Sequence, residues 1–272
     1  MVVGQFHTTV YLYISAKDTE KSAYFVRFAT KVKSMEIDIC FSPVLYPFYR
    51  KENDTVIVVD VFRASATMCT MLANGATAVI SVADIEEAKR YKSRGFLVGA
   101  ERNARQCDFA DFGNSPFDYT REKVAGKEVV FTTTNGTQAI DAAKSAKQLF
   151  VGTFSNLEAL IQKSVEVGER VVILCAGWNN RANVEDTLFG GRFAEKLSEK
   201  TTVTLKSDAV KMALELWQSA KENPLEYLKS TEHYYRLIAN GVKSDAEYCL
   251  KENSASVVPV YDKKTKKIIV SR

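Results

Sequence analysis

The 272-residue chain is short of histidine, tryptophan and proline, with His7 and His233 as its only histidines, two Trp and five Pro. A Ser-His-Asp mechanism would have to use His233, whose neighbours Glu232, Tyr234 and Tyr235 read as an ordinary helix. GxGxxG, GxSxG, HExxH and GxxxxGK[ST] do not occur. Their absence removes the dinucleotide-binding turn, the nucleophile elbow, the zincin helix and the P-loop. No apolar run approaches the roughly 20 residues needed to cross a bilayer, so no membrane role is expected. The five cysteines, Cys40, Cys69, Cys107, Cys175 and Cys249, form no CxxC pair. Zinc ribbons and thioredoxin-type motifs are thereby unsupported, and a reduced, cytoplasmic protein is expected. Nor is the N-terminus expected to act as a secretory signal, because its basic residues follow the apolar stretch.

A strong field of one sign is also missing. The net charge is +4, and most of it sits in Met1–Ser34, where Lys17, Lys21, Arg27, Lys31 and Lys33 face only Asp18 and Glu20. The rest is close to neutral and has no means of attracting nucleic acid. Lys263–Lys267 carries four lysines between apolar runs and reads as a solvated turn. Residues 1–34 read as an extension, non-native or dispensable, with a β-like stretch at Thr9–Ile14. The alternative is a genuine hairpin or helix packed on the body. Met35 opens Met35–Phe41, which alternates as a half-buried strand should.

What is present is 46% hydrophobic and 26% charged, the values of an ordinary globular chain. Val56–Val61 is an apolar strand, followed by a helix over Ser65–Asn74 that Asn74-Gly75 closes. Ala78–Val82 is strand, and Asp84 caps a helix over Ile85–Ser93 that Gly95 ends. Phe96–Gly99 is strand, and Glu101–Asn114 a long polar loop. Ser115-Pro116 reads as an N-cap with proline at the first helical position. Strand then alternates with helix: Glu128–Thr133, Thr137–Ser145, Leu149–Gly152, a helix opened by a capping box at Ser155–Glu158, Arg170–Ala176, and Val184–Leu197. Helices follow over 208–221, 224–229, 232–239 and 245–251, and the strand pair 257–261 and 268–270 closes the chain. This pattern predicts a three-layer α/β/α fold, with a mainly parallel or mixed sheet and a helical C-terminal elaboration. Residues 35–272 are expected to form one domain.

In such sheets ligands bind beyond the carboxyl ends of strands. One end carries Asp60, Arg63 and Ser65, a carboxylate and a guanidinium ahead of a helix, which suits a divalent metal with an anion or else a buried structural pair. Another carries Glu101 and Arg102 and leads through Arg105 to Asn114 and Ser115, where forked guanidinium contacts could grip an acidic substrate, although spacing alone favours a solvated loop ahead of an Asn-Ser-Pro helix start. A third, Thr132–Thr137, sets hydroxyls and the Asn135-Gly136 turn before a helix, a nest for phosphate. Glu185-Asp186 either binds metal or favours a helix dipole. Cys175–Arg181 has the C-x5-R spacing of cysteine phosphatases, although Ala182 replaces the usual hydroxyl residue.

Val59–Thr67, Asn74–Ala76, Glu101–Asn103, Asp111–Pro116, Thr132–Thr137, Ala176-Gly177 and Glu185-Asp186, in this order and spacing, resemble the 2-phosphosulfolactate phosphatase family. The resemblance covers about Glu36–Leu197 and is loose beyond. It implies a Mg²⁺-dependent phosphatase acting on phosphorylated 2-hydroxy carboxylic acids. Asp60, Arg63, Glu101 and Arg102 are then the catalytic expectations. Ser65, Asn114, Ser115, Thr133, Thr134, Asn135, Gly136 and Thr137 would bind substrate or phosphate, and Asp60, Glu185 and Asp186 the metal. The expected partner is a small phosphorylated hydroxy acid, with no nucleic acid and no membrane, and a homo-oligomer is allowed. Two alternatives stay open: a non-catalytic anion-binding or regulatory protein on the same fold, and a metal-independent cysteine phosphatase using Cys175.

Overall fold

Val56, Ile57, Val58 and Val59 are all fully buried, because the strand they form is covered on both faces. Alternate members turn to opposite layers: Ile57 and Val59 join one apolar cluster, Val56 and Val58 another. Each such side chain contributes about 1.5–3 kcal/mol when buried, so a charged residue here would break the fold. The computed structural model describes residues 34–241 and 243–271, with Ser34–Arg272 forming one unit. His7 and Thr9–Ile14 lie outside the described residues.

The strands are β1 (Met35–Cys40), β2 (Thr55–Val59), β3 (Ala78–Ser81), β4 (Leu97–Arg102), β5 (Arg105–Gln106) and β6 (Glu128–Thr132). They continue with β7 (Gln148–Gly152), β8 (Arg170–Cys175), β9 (Val203–Thr204), β10 (Pro259–Asp262) and β11 (Lys267–Val270). The first helices are α1 (Tyr46–Tyr49), α2 (Ala64–Ala73), α3 (Ile85–Ser93), α4 (Arg121–Val124), α5 (Gly136–Ala143) and α6 (Leu157–Val167). Those of the second half are α7 (Val184–Lys200), α8 (Asp208–Ala220), α9 (Pro224–Leu228), α10 (Glu232–Ala239) and α11 (Lys243–Cys249).

All the strands among the described residues join one mixed sheet, in the order β5-β4-β6-β3-β11-β10-β7-β2-β8-β1-β9. The terminal hairpin β10–β11 sits in the middle of the sheet, antiparallel to β7 on one side and to β3 on the other. It joins two blocks that are parallel within themselves: β4, β6 and β3, and β7, β2, β8, β1 and β9. One face is covered by α6, α7 and α8 through Leu160, Phe189 and Trp217, the other by α2 and α5 through Met68, Leu72 and Ile140. The fold is the expected three-layer α/β/α, with the C-terminal helices packed on the first of these faces.

Local differences from the sequence reading have physical causes. Asp84 caps α3 by accepting from Glu86 N–H, as expected. The loop expected at Glu101–Asn114 instead begins as a hairpin, since β4 runs on to Arg102 and returns as β5. Its turn places Asn103 and Ala104 at φ 54° and 65°, and alanine gives no warning of that conformation. The cap expected at Ser155 lies earlier, where Thr153 N–H donates to Asn156 Oδ1 at 3.0 Å. Ser115 precedes a single 3₁₀ turn without capping it.

Candidate active site

The turn from β2 into α2 is held by Asp60 and Ser65. Asp60 N–H donates to Ser65 Oγ at 2.9 Å, and Asp60 Oδ1 accepts from Ala64 N–H at 3.3 Å. Ser65 is fully buried, so its hydroxyl braces the turn and does not face a ligand. Asp60 is 6% exposed on the wall of a cavity of about 90 Å³, and Oδ2 has no hydrogen-bond partner among the described residues. Burial pushes its carboxyl up to about 6, with His233 pulling the other way.

The start of α5 comes up against this carboxylate. A Cβ at Gly136 would lie 2.7 Å from Asp60 Oδ2 and 2.6 Å from Ala64 Cβ, so only glycine permits the approach. Thr133 and Thr137 do not offer their hydroxyls outward. Thr137 N–H donates to Thr133 Oγ1 at 3.3 Å and Thr133 N–H to Thr137 Oγ1 at 3.1 Å, with both residues buried. They brace the turn, while Asn135 lines the cavity. Thr134 and Asn135 also line a neighbouring hollow of about 110 Å³.

Glu101 ties the β4–β5 hairpin to this turn. Its Oε1 accepts from Ala104 N–H at 2.5 Å and from Thr134 Oγ1 at 3.1 Å, and its Oε2 accepts from Thr134 N–H at 3.2 Å. Arg102 was expected to grip substrate, but its guanidinium donates to Glu101 O, Thr132 Oγ1 and Ala83 O, and it is not part of the cavity wall. A side chain on a strand points to the face opposite its neighbour's, so adjacent Glu101 and Arg102 cannot share one cavity. Arg105 is likewise turned to Asn240, with Nε 2.9 Å from Oδ1.

Arg63 does line the cavity, although its partner is not the Asp60 that the spacing suggested. Its Nη1 donates to Asp245 Oδ2 at 2.6 Å, and both side chains are buried. Ser115 Oγ donates to the other Asp245 oxygen at 3.1 Å. Asn114 is on the wall with Oδ1 buried and unpartnered among the described residues.

Glu185 and Asp186 start α7 and are wholly buried. Asp186 gives both oxygens to backbone donors, Val61 N–H at 2.8 Å and Gly177 N–H at 3.2 Å. Burial, followed by the charges of Glu185 and Asp60, drives its carboxyl well above the ordinary range. Glu185 Oε1 lies 2.5 Å from His233 Nδ1 and accepts from Asn183 Nδ2 at 2.9 Å. The expected triad of metal ligands is therefore not assembled: Asp186 braces two loops and Glu185 orients a histidine. Among the described residues no group of three His, Cys, Asp or Glu is placed to hold a metal ion. A hard cation that keeps several waters needs only one or two protein oxygens besides the substrate's. Asp60 Oδ2 and the orphaned Asn114 Oδ1, both on the cavity wall, fit that donor set.

The loop after β8 closes the wall. Trp178 and Arg181 exchange two backbone hydrogen bonds of 2.9 Å across Asn179 and Asn180, whose φ values are 47° and 61°. That is a tight hairpin turn with both central residues left-handed, which asparagine tolerates. A Cβ at Gly177 would lie 2.3 Å from Arg181 O. The segment is thus a hairpin presenting Trp178, not an anion cradle around Cys175. Cys175 is fully buried, and burial with Asp186 beside it pushes the thiol well above its usual range. That arrangement overturns the cysteine-phosphatase alternative, which needs an accessible thiolate.

His233, Arg236 and Leu237 of α10 complete the cavity. Sequence reasoning missed the last two and Trp178, and set His233 aside. The only available signal was the spacing of His233 and Arg236, three residues apart on one helical face.

Strand ends of an α/β/α fold thus converge on a small cavity walled by two guanidiniums, two carboxylates and an oriented histidine. The family model for 2-phosphosulpholactate phosphatase matches residues 40–264, and the chain belongs to this family, whose activity is hydrolytic. It is similar to the probable 2-phosphosulfolactate phosphatase of Thermotoga petrophila, at 37% identity over 216 residues, covering 79% of this chain and 92% of the relative. The Clostridium beijerinckii protein of that name is 32% identical over 231 residues, covering 84% and 97%. The Clostridium acetobutylicum one is 33% identical over 230 residues, again covering 84% and 97%. No helix among the described residues is long and apolar enough to cross a membrane.

Proposed function

We propose that the chain is a Mg²⁺-dependent phosphatase of phosphorylated 2-hydroxy carboxylic acids, with 2-phosphosulfolactate, named in its relatives, hydrolysed to sulfolactate and phosphate. The observation that carries this reading is the convergence of Asp60, Arg63 and the Asn135-Gly136 helix start on one cavity. Arg63 and the Gly136 N–H at the start of α5 bind phosphoryl oxygens. Asp60 and Asn114 would hold Mg²⁺, which supplies neutralising charge at those oxygens. The wall itself carries two carboxylates, Asp60 and Glu101, against two guanidiniums, Arg63 and Arg236. A multiply charged substrate thus needs added positive charge, which favours the metal.

His233 is oriented by Glu185. A carboxylate only accepts, so Nδ1 carries the proton and Nε2 is left for the cavity. Protonated at Nε2 as well, the imidazolium gives that second proton to the departing ester oxygen and keeps the one on Nδ1. The unit that does this is residues 35–272, with residues 1–34 dispensable, and the five free cysteines suit a cytoplasmic enzyme.

The test is a phosphate-release screen over small phosphorylated 2-hydroxy acids, with Mg²⁺ and with EDTA. Metal-dependent turnover of these esters is expected. Tight binding of the same compounds without turnover would favour the anion-binding alternative.

A further inference from the structure

The two cations of the cavity are not equivalent. Arg63 is buried and compensated by an equally buried carboxylate, Asp245. Arg236 has as its acidic partner Glu232, at 3.0 Å, whose side chain is 69% exposed and screened by water. Its guanidinium lies over the Trp178 ring at 3.5 Å from the centroid. Trp178 is fixed in turn by the tight Asn179-Asn180 hairpin. A guanidinium held this close over an indole has its position set beforehand, so little freedom is lost when an anion pairs with it.

The helix geometry places this cation. Residues 233, 236 and 237 lie on one face of α10, and all three line the cavity. The imidazole and the Arg236 guanidinium therefore reach the cavity from the same helix, while Arg63 comes from the β2–α2 turn. A phosphorylated hydroxy acid has a second anionic group one carbon from its ester oxygen. Arg102, expected to take that group, is turned away into backbone carbonyls.

We propose that Arg236, stacked on Trp178, binds the second acidic group of the substrate and sets the preference for phosphorylated acids over simple alkyl phosphates. This rests on the phosphatase reading and assigns its specificity to α10. The test compares 2-phospholactate with isopropyl phosphate, in which a methyl group replaces the carboxylate. Both are assayed with wild type, Arg236→Gln and Arg236→Lys, alongside melting temperatures. In Arg236→Gln, kcat/KM for 2-phospholactate should fall about thirtyfold, mainly through KM, and that for isopropyl phosphate should change by less than about threefold. Arg236→Lys should recover only part of the loss, since a point charge does not reproduce a stacked fork. Equal losses on both esters would make Arg236 structural and overturn the proposal, as would unchanged kinetics on both. A wild type that hydrolyses the two equally well overturns it while the phosphatase reading stands. A wild type that hydrolyses neither removes the phosphatase reading, and the assignment with it.

Discussion

Arg63 and Asp245 stand 182 positions apart in the chain and form an ion pair of 2.6 Å, with each side chain only 3% exposed. The pair fastens α11 to the β2–α2 turn, and it also holds Arg63 against the cavity. Removing one partner of a buried pair leaves an uncompensated charge. Asp245→Asn should therefore cost about 3–5 kcal/mol, read from urea unfolding. Arg63→Lys keeps the charge and should melt near wild type. It loses the fork, however, and kcat/KM should drop at least about tenfold, or 1.4 kcal/mol. Wild-type kinetics in Arg63→Lys would take Arg63 out of phosphate binding.

Asp60 should act against stability at neutral pH. Its folded carboxyl is pushed up to about 6 by burial, while the unfolded chain titrates near the ordinary 3.8. Between these values the folded state holds more protons, so stability falls as pH rises from about 4 to about 6 and stays low above. In EDTA, Asp60→Asn should raise the melting temperature at pH 7, by at most about 3 kcal/mol of stability, and change little at pH 4. Mg²⁺ should stabilise wild type at pH 7 more than the variant. Identical metal responses in the two proteins would show that Asp60 does not hold the ion.

How legible all this was depended on distance along the chain. β2 and β8 were readable because strands buried on both faces are apolar throughout, and α3 because Asp84 and Gly95 mark its ends. The β4–β5 hairpin was hidden because Ala104 adopts a left-handed turn that its residue type disfavours. At the site, clusters at strand ends pointed to Asp60, Arg63, Asn114 and Asn135, all of which line the cavity. Residue types could not reveal that the Ser65, Thr133 and Thr137 hydroxyls are spent inside their own turns. Nor could spacing show that Glu185 faces His233, 48 positions away, and not a metal.

Cys175 gives a clean check on the cysteine mechanism. The side chain is fully buried with its thiol pushed well up, so iodoacetamide should leave the native protein active. Cys175→Ser should retain kcat within about threefold, with any loss tracking a lower melting temperature from a hydroxyl in an apolar site. A thousandfold fall in kcat with the fold intact would restore the thiol as nucleophile.

His233 can be separated from its surroundings by the chemistry of the leaving group. A 2-hydroxy acid leaves as a poorly stabilised alkoxide and gains from a proton at its oxygen, whereas 4-nitrophenolate leaves without one. If His233 Nε2 supplies that proton, His233→Gln should lower kcat by about 10²–10⁴ on 2-phospholactate and far less on 4-nitrophenyl phosphate. Glu185→Gln preserves an acceptor for Nδ1–H and so keeps the ring oriented, but through a weaker, uncharged hydrogen bond, so its loss should run in the same direction and be smaller. Stability should respond differently from activity. Glu185 is wholly buried with Oε2 unpartnered among the described residues, so the amide nitrogen placed there finds no acceptor and the melting temperature should fall, whichever ester is assayed. Equal losses on the alkyl and aryl esters would mean that the imidazole only packs between Phe62 and Trp178, whose ring centroids each lie 5.9 Å away.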